Sequence, residues 1–363
     1  MKSKHIQNDV FEINNLFSKI LILQLVLQSF FAATNLDLIQ IFFEILLILT
    51  FVFHFILFNV RLNKFELWLL FILIFTTLVS CIINPLEIAI LNAKVYIIAI
   101  LSLIFFSKFS VKPFYITLIL FINYIFIIYQ MVFGNLPFSS ILNPIVGAFG
   151  EYTNSRPLGL FLNTHFSAYL IAIFLIYIGY KKKLFGSGIA FLYITFSKFT
   201  IVSYIIHIIL KMKFIVYLKR YFKKISLVLI ILSFTIIIKY SNEIWKFDLG
   251  AAYVSFNTIA EQLLKIESYT SSFRIFPDDT NKIFESFTNE AGNEVMYFTL
   301  IFQGGIILFL LYMIYFTSKL KHFKLFVLIS MLHYGFSMSP LVIFLIITYN
   351  RKIDKILLIN EKK

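Results

Sequence analysis

The sequence predicts an all-α polytopic membrane protein, with about twelve transmembrane helices and one large, partly helical loop outside the membrane. Composition, long apolar runs and the distribution of basic residues support this prediction. Of the 363 residues, 60% are hydrophobic and 14% are charged, whereas a soluble domain has about 45–50% apolar and about 25% charged residues. This composition excludes a water-soluble enzyme, a disordered chain and a coiled coil, because so much apolar surface needs lipid as its solvent.

Apolar runs of about 20 residues are typical of helices that span a bilayer. The chain has eight clear runs, at 18–34, 38–60, 65–83, 88–106, 113–133, 166–180, 225–239 and 296–317. Each of them predicts one transmembrane helix.

Two further apolar blocks, 184–210 and 325–350, have basic residues on both flanks and polar residues in the middle. The polar centres are Ser197-Lys198 and the segment 337–340. A single span would place the two basic flanks on opposite sides of the membrane, whereas a hairpin of two short helices returns them to one side. Because basic loops favour the cytoplasm, we expect two hairpins, twelve helices in total and cytoplasmic termini.

The basic residues support this topology. The chain carries 32 Lys and Arg against 18 Asp and Glu, a formal net charge of +14. Predicted cytoplasmic segments hold 24 of the 32 basic residues, within 2–19, 61–64, 108–112, 181–183, 211–224, 319–324 and 351–363. The charge therefore indicates membrane orientation and predicts no nucleic-acid partner. The single cysteine, Cys81, excludes an internal disulfide and a cysteine-based zinc site.

We interpret 1–363 as a single membrane domain with two long external loops, 134–165 and 240–294. The second loop carries nine of the 18 acidic residues. Thr258 and Glu261 have the spacing of a capping box, and Pro277 opens a turn that precedes a second helix. The large loop is therefore expected to be partly helical and to pack over the membrane domain.

Only two arginines occur in these external loops, Arg156 in the first and Arg274 in the second. A guanidinium offers a rigid fork of donors that matches phosphate oxygens. The alternative for each residue is a structural arginine paired with a loop carboxylate. Two arginines over one external cavity would suit a pyrophosphate.

Four segments resemble motifs of bacterial O-antigen polymerases and O-antigen ligases. The first is 156–168, RPLGLFLNTHFSA, which has an arginine, a glycine three residues later and an asparagine-containing turn that opens a helix. Ser197-Lys198 resembles a Ser-Arg element with lysine replacing arginine, and Arg274 resembles an arginine in the second half of the family's large loop. The segment 293–307 resembles the entry into the next helix. The resemblance covers roughly residues 110–350.

This resemblance implies glycosyl transfer between sugars carried on undecaprenyl pyrophosphate, at the periplasmic face of the bacterial inner membrane. It implies that Arg156 and Arg274 are catalytic at the pyrophosphate and that Lys198 is a third cation. Asn163 and His165 would orient the first arginine or contact a sugar. With the cations in place, no metal and no cofactor are expected. The implied partners are the lipid-linked glycan, membrane lipid and a chain-length regulator protein.

One departure from the family favours a polymerase over a ligase. Ligases carry a histidine late in the large loop, whereas here 240–294 contains none and Glu290 and Glu294 occupy the nearby positions. Glu294 is then the candidate general base, and Glu290 a candidate substrate-binding residue. The alternatives are an O-antigen ligase acting on a lipid A-core acceptor and a transporter of lipid-linked oligosaccharide. Glu44 and Lys94, ionisable residues inside predicted spans, keep the transporter alternative open.

Overall fold

The computed structural model of the protein describes residues 11–34, 36–112, 114–134, 136–142, 158–179, 198–211, 296–332 and 335–361. Over these ranges the chain is mostly helical. The exception is one parallel pair of two-residue strands, β1 (Phe11–Glu12) and β2 (Phe109–Ser110).

The helices are numbered in chain order within the described ranges. They are α1 Asn15–Phe31, α2 Asp37–Leu57, α3 Lys64–Ile83, α4 Leu86–Lys108, α5 Phe114–Phe133, α6 Ser139–Leu142, α7 Thr164–Gly179, α8 Lys198–Lys211, α9 Met296–Leu320, α10 Lys324–Ser330 and α11 Pro340–Glu361. Two 3₁₀ turns, Lys321–Phe323 and Gly335–Met338, lie on either side of α10.

Four stretches of the described chain are long and apolar enough to cross a membrane. They are α2, α3, α4 and the stretch Thr299–Ser330, which runs from α9 through the first 3₁₀ turn into α10. Helices α1, α5 and α7 contain shorter apolar stretches. The protein is therefore a mostly helical membrane protein, as its composition predicts.

Helices α2 and α3 have polar residues on the inner face and apolar residues on the outer face. Glu44 and His54 of α2 are buried, while Leu38 on the same helix is 83% exposed. On α3, Glu66 and Ser80 are buried in the same way. Lipid tolerates exposed apolar side chains but offers no hydrogen bonds to polar ones, so this arrangement suits a helix at the bundle surface in a bilayer.

Helix α4 lies at the centre of the bundle, where it packs against α2, α3, α9 and α11. Small side chains, such as the buried Ala99, let neighbouring helices approach closely. At the contact with α9, a Cβ atom on Gly304 would lie 2.5 Å from the Tyr96 ring. The next residue, Gly305, interrupts the helix at φ 72°, and the Tyr96 hydroxyl donates to the Leu300 carbonyl oxygen at 2.6 Å.

We define the basic end of the bundle by Glu66, Lys108, Tyr315 and Arg351. Lys108 Nζ lies 3.2 Å from Glu66 Oε2, and the Tyr315 hydroxyl donates to Glu66 Oε1 at 2.8 Å. The Arg351 guanidinium donates to three backbone carbonyls at the carboxyl end of α4, those of Phe106, Ser107 and Phe109. These contacts bring the ends of α3, α4, α9 and the middle of α11 together.

The block 325–350 starts and ends at the same end of the bundle, as the predicted hairpin requires, but its two helices are unequal, since α10 has 7 residues and α11 has 22. The Asn350 amide donates to the carbonyl oxygens of Lys319 and Leu320 at 2.9 and 3.0 Å. Asp354 forms an ion pair with Lys321 and a hydrogen bond with His322 Nε2 at 3.0 Å. Both flanks of the block therefore lie at the basic end. For 184–210 the structure describes only the second half, which is helical (α8), and the predicted break at Ser197-Lys198 lies at the edge of the described residues.

We expect Arg351→Met to destabilise the bundle by about 3 kcal/mol, because it removes three charged hydrogen bonds and leaves half-buried carbonyls unpaired. The matched control is Lys355→Met, which removes one positive charge from an exposed position of the same helix. Thermal unfolding in detergent should show a large loss for the first variant and almost none for the second. Equal losses would mean that total charge, and not the carbonyl contacts, stabilises this end.

Candidate functional site

A cavity of about 320 Å³, lined by polar and apolar side chains, lies at the opposite end of the bundle from the basic end. On α4 it begins at Lys94, fourteen residues before Lys108, which is about 21 Å along the helix axis. The described lining residues come from α1, α2, α4, the turn before α7 and the start of α11. They are Gln28, Ser29, Ala32, Ala33, Gln40, Glu44, Lys94, Val95, Ile98, Phe161, Asn163, Phe166, Phe336, Met338, Ser339 and Pro340.

An ion pair between α2 and α4 forms one wall of this cavity. Lys94 Nζ lies 3.0 Å from Glu44 Oε2, and the lysine side chain is 27% exposed while that of the glutamate is 5% exposed. The Gln40 amide donates to the other carboxylate oxygen of Glu44 at 2.8 Å. A carboxylate at this depth is costly unless it is paired, so the lysine and the amide together make its burial tolerable.

Helix geometry explains how these polar groups come to face the cavity. Gln40 and Glu44 are four residues apart on α2, and therefore lie on one face of that helix. Gln28 and Ser29 belong to the last turn of α1. Ser339 precedes α11 and accepts, through its carbonyl oxygen, the first backbone bond of that helix from Ile343.

A tight turn at 158–163 closes another side of the cavity and is held by α5. The buried Asn123 side chain accepts hydrogen bonds from the Leu160 N–H at 2.9 Å and the Ser167 hydroxyl at 3.1 Å. Gln130 accepts from the Gly159 N–H at 3.1 Å. Gly159 has φ 72°, and a Cβ atom there would lie 2.4 Å from Ser167 Oγ and 2.5 Å from Asn123 Oδ1. Only glycine fits this position.

Asn163 is the predicted site residue that the structure places in the cavity. It caps α7, because its side-chain oxygen accepts a hydrogen bond from the Phe166 N–H at 3.0 Å. Phe161 and Phe166 line the cavity beside it, with ring centroids 5.2 Å apart. The asparagine-containing turn that opens a helix, expected from the sequence, is confirmed.

The other predicted site residues are placed only in part. His165 is the second residue of α7, half-buried, and does not line the cavity. Lys198 is the first residue of α8, which packs against α7. The remaining four lie outside the described residues, as does half of 134–165 and all of 240–294. They are Arg156, Arg274, Glu290 and Glu294.

Sequence reasoning noticed Glu44 and Lys94 but did not assign them to the site, and it missed Gln28 and Gln40. A usable signal was present, since Gln24 and Gln28, like Gln40 and Glu44, are polar pairs four residues apart in otherwise apolar helices. Such spacing places both members of a pair on one inward face. It does not reveal that the faces of α1, α2 and α4 meet.

Comparison of the chain with protein-family models, with curated proteins and with solved structures finds no match. A functional interpretation therefore depends on the sequence motifs and on the chemistry of this cavity.

We expect Gly159→Ala to destabilise the protein by about 3 kcal/mol or more, because it combines a positive φ with two close contacts. Gly134→Ala is the matched control: this glycine has φ 69° but no neighbouring atom within 4 Å of a Cβ. It should cost only about 1–2 kcal/mol, from the backbone conformation alone. The measurement is thermal unfolding in detergent, and similar losses in both variants would contradict the packing described at 158–167.

The Glu44–Lys94 pair gives a double-mutant prediction. Glu44→Gln and Lys94→Met should each cost about 3 kcal/mol, because each leaves one charge in the bundle without its partner. The double variant should recover most of this loss, since it leaves neither charge behind. Unfolding midpoints of the three variants test the coupling, and additive losses would mean that the two side chains do not interact.

Proposed function

We propose that the protein polymerises undecaprenyl-pyrophosphate-linked oligosaccharide repeat units into O-antigen or a capsule-like polysaccharide. The observation that carries this proposal is the position of Asn163. This residue belongs to the segment that resembles the family's first motif, and it lines the cavity. The motif and the cavity therefore belong to one site, as an enzyme of this class requires.

The charge distribution supports an external site. Basic residues favour the cytoplasmic side of a membrane, so the basic end defined by Lys108 and Arg351 is interpreted as cytoplasmic. The cavity at the opposite end then faces the periplasm, where the lipid-linked substrate is displayed. Twelve helices, cytoplasmic termini and a bacterial inner-membrane location complete this proposal.

The reaction joins two lipid-linked glycans. A hydroxyl of the acceptor attacks the anomeric carbon of the donor sugar and forms the new glycosidic bond. The bond from that carbon to the phosphate oxygen breaks, and undecaprenyl pyrophosphate leaves with the bonding electrons. A general base, for which Glu294 is the candidate, takes the hydroxyl proton.

Cations beside the leaving group lower the barrier. Negative charge grows on the bridging phosphate oxygen as its bond breaks, so fixed guanidinium groups stabilise the transition state more than the ground state. Arg156 and Arg274 have this role in our proposal, with Lys198 as a third cation and no metal. Glu290 and His165 are proposed to bind substrate.

The turn at 158–163 supports the role of Arg156. This residue precedes Leu158 by two positions, and the covalent chain alone keeps the two Cα atoms within about 8 Å of each other. The Leu158 carbonyl oxygen is fixed by the Ser167 hydroxyl at 2.8 Å.

A transporter of lipid-linked oligosaccharide is the second candidate, and the buried Glu44–Lys94 pair favours it, since ionisable groups inside spans often line transport pathways. An O-antigen ligase is the third. Both would use lipid-linked glycan at the same membrane, so the products in a deletion strain must distinguish the three functions.

We expect deletion of the gene to collapse the polysaccharide ladder on a gel to a single repeat unit on its final acceptor. The reason is that export and final transfer continue while chain extension stops. Long polymer stranded on the lipid carrier would instead identify a ligase. Lipid-linked repeats accumulating at the inner face would identify a transporter.

We expect Arg156→Lys and Arg274→Ala each to abolish chain extension in the complemented deletion strain, with protein levels unchanged. Lysine keeps the charge but loses the planar fork of donors. Arg61→Ala, at an exposed position of the α2–α3 connection, is the matched control and should give a normal ladder. Normal ladders from both loop variants would contradict the assignment of the arginines.

A further inference from the structure

We infer that the cavity is a subsite for one uncharged sugar ring of the lipid-linked glycan, and that the pyrophosphate binds outside it. This inference rests on the proposed function and specifies which part of the substrate the cavity holds. It follows from the charge, the polar groups, the aromatic rings and the volume of the cavity.

The charge of the cavity does not suit a pyrophosphate. Among the described lining residues only Glu44 and Lys94 are charged, and they lie 3.0 Å apart as an ion pair. A pyrophosphate entering here would meet a lysine already neutralised and a carboxylate that repels it. A ligand without charge disturbs the pair least, because it can share hydrogen bonds with both groups while they stay together.

The polar groups suit ligand hydroxyls. Gln28, Gln40 and Asn163 contribute amides and Ser339 a hydroxyl. Amides both donate and accept hydrogen bonds, so these side chains can bind ligand hydroxyls with the polar atoms that are not engaged within the protein. Sugar hydroxyls likewise donate and accept, and they match this mixed set better than a ligand that only accepts.

The aromatic residues suit the apolar face of a sugar ring. Phe161, Phe166 and Phe336 line the cavity, and the centroids of Phe166 and Phe336 lie 5.3 Å apart with the ring planes at 71°. Phenyl rings present an electron-rich face that attracts the weakly positive C–H groups of a pyranose. The polar side chains from α1 and α2 provide the hydrogen bonds that such a ring needs around its edge.

The volume limits the ligand to about one ring. At about 320 Å³, the cavity is at the lower limit of ordinary ligand pockets, which range over about 300–1,000 Å³. A whole repeat unit with its lipid pyrophosphate does not fit in this space. The rest of the substrate must therefore extend out of the cavity.

The test compares two probes on the full-length protein in nanodiscs. One probe is undecaprenyl pyrophosphate, and the other is the undecaprenyl-pyrophosphate-linked single repeat unit extracted from the deletion strain. The wild type should bind the glycolipid more tightly than the bare carrier, since only the glycolipid fills the cavity.

Two variants then test whether the cavity contributes to glycolipid binding. Ala32→Phe fills its mouth at an exposed position and removes no polar group, and Gln40→Met removes one amide without a change of buried volume. Each should weaken glycolipid binding about tenfold, which is about 1.4 kcal/mol, and leave binding of the bare carrier unchanged. Leu38→Phe, on the exposed face of α2, is the matched control and should change neither.

The outcomes separate this inference from the proposed function. If the wild type does not distinguish glycolipid from bare carrier, the proposed function itself fails. If it does distinguish them and both variants bind glycolipid normally, only the sugar subsite is wrong. Weaker binding of the bare carrier by Ala32→Phe would place the pyrophosphate in the cavity and overturn the inference. If Ala32→Phe does not fold, Gln40→Met decides the outcome.

Discussion

The ion pairs on the central helix α4 are the constraint on which the rest of the bundle depends. Lys94 pairs with Glu44 of α2, and Lys108 pairs with Glu66 of α3. The two lysines are fourteen residues apart, which is close to four helical turns, so they lie on nearly the same side of α4. In a bilayer an unpaired charge at this depth is costly, so the two pairs fix both the rotation and the depth of α4 relative to α2 and α3.

The same constraint gives the two ends of the bundle different chemistry. At the basic end, Glu66 and the carbonyls bound by Arg351 form hydrogen bonds and ion pairs with other protein groups, so these contacts stabilise the fold. At the other end the Glu44–Lys94 pair borders a cavity with amides and phenyl rings. The cavity leaves side chains of both kinds without close packing against one another, which favours a role in binding.

In the turn at 158–163, two residues of the first motif have structural roles. Position 159 requires glycine, because the backbone has a φ of 72° there and Ser167 approaches closely. The Asn163 side-chain oxygen caps α7. The glycine and asparagine of the motif thus have structural reasons for their spacing. Arg156 lies outside the described residues, and its role at a phosphate stays a proposal.

The sequence by itself determined the class of protein and the bounds of its clearest helices. The runs 38–60 and 65–83 predict α2 and α3 almost to the residue, because lipid demands apolar length and Asn63 and Glu66 form a local capping box. It also predicted the 325–350 hairpin, because basic flanks are a local signal. Only the tertiary structure decided that Glu44 meets Lys94, fifty residues away, and that Gln28 and Asn163 border the same space. The physical reason is that contacts between distant helices depend on how their faces pack, and helical spacing reveals which residues share a face but not which faces meet.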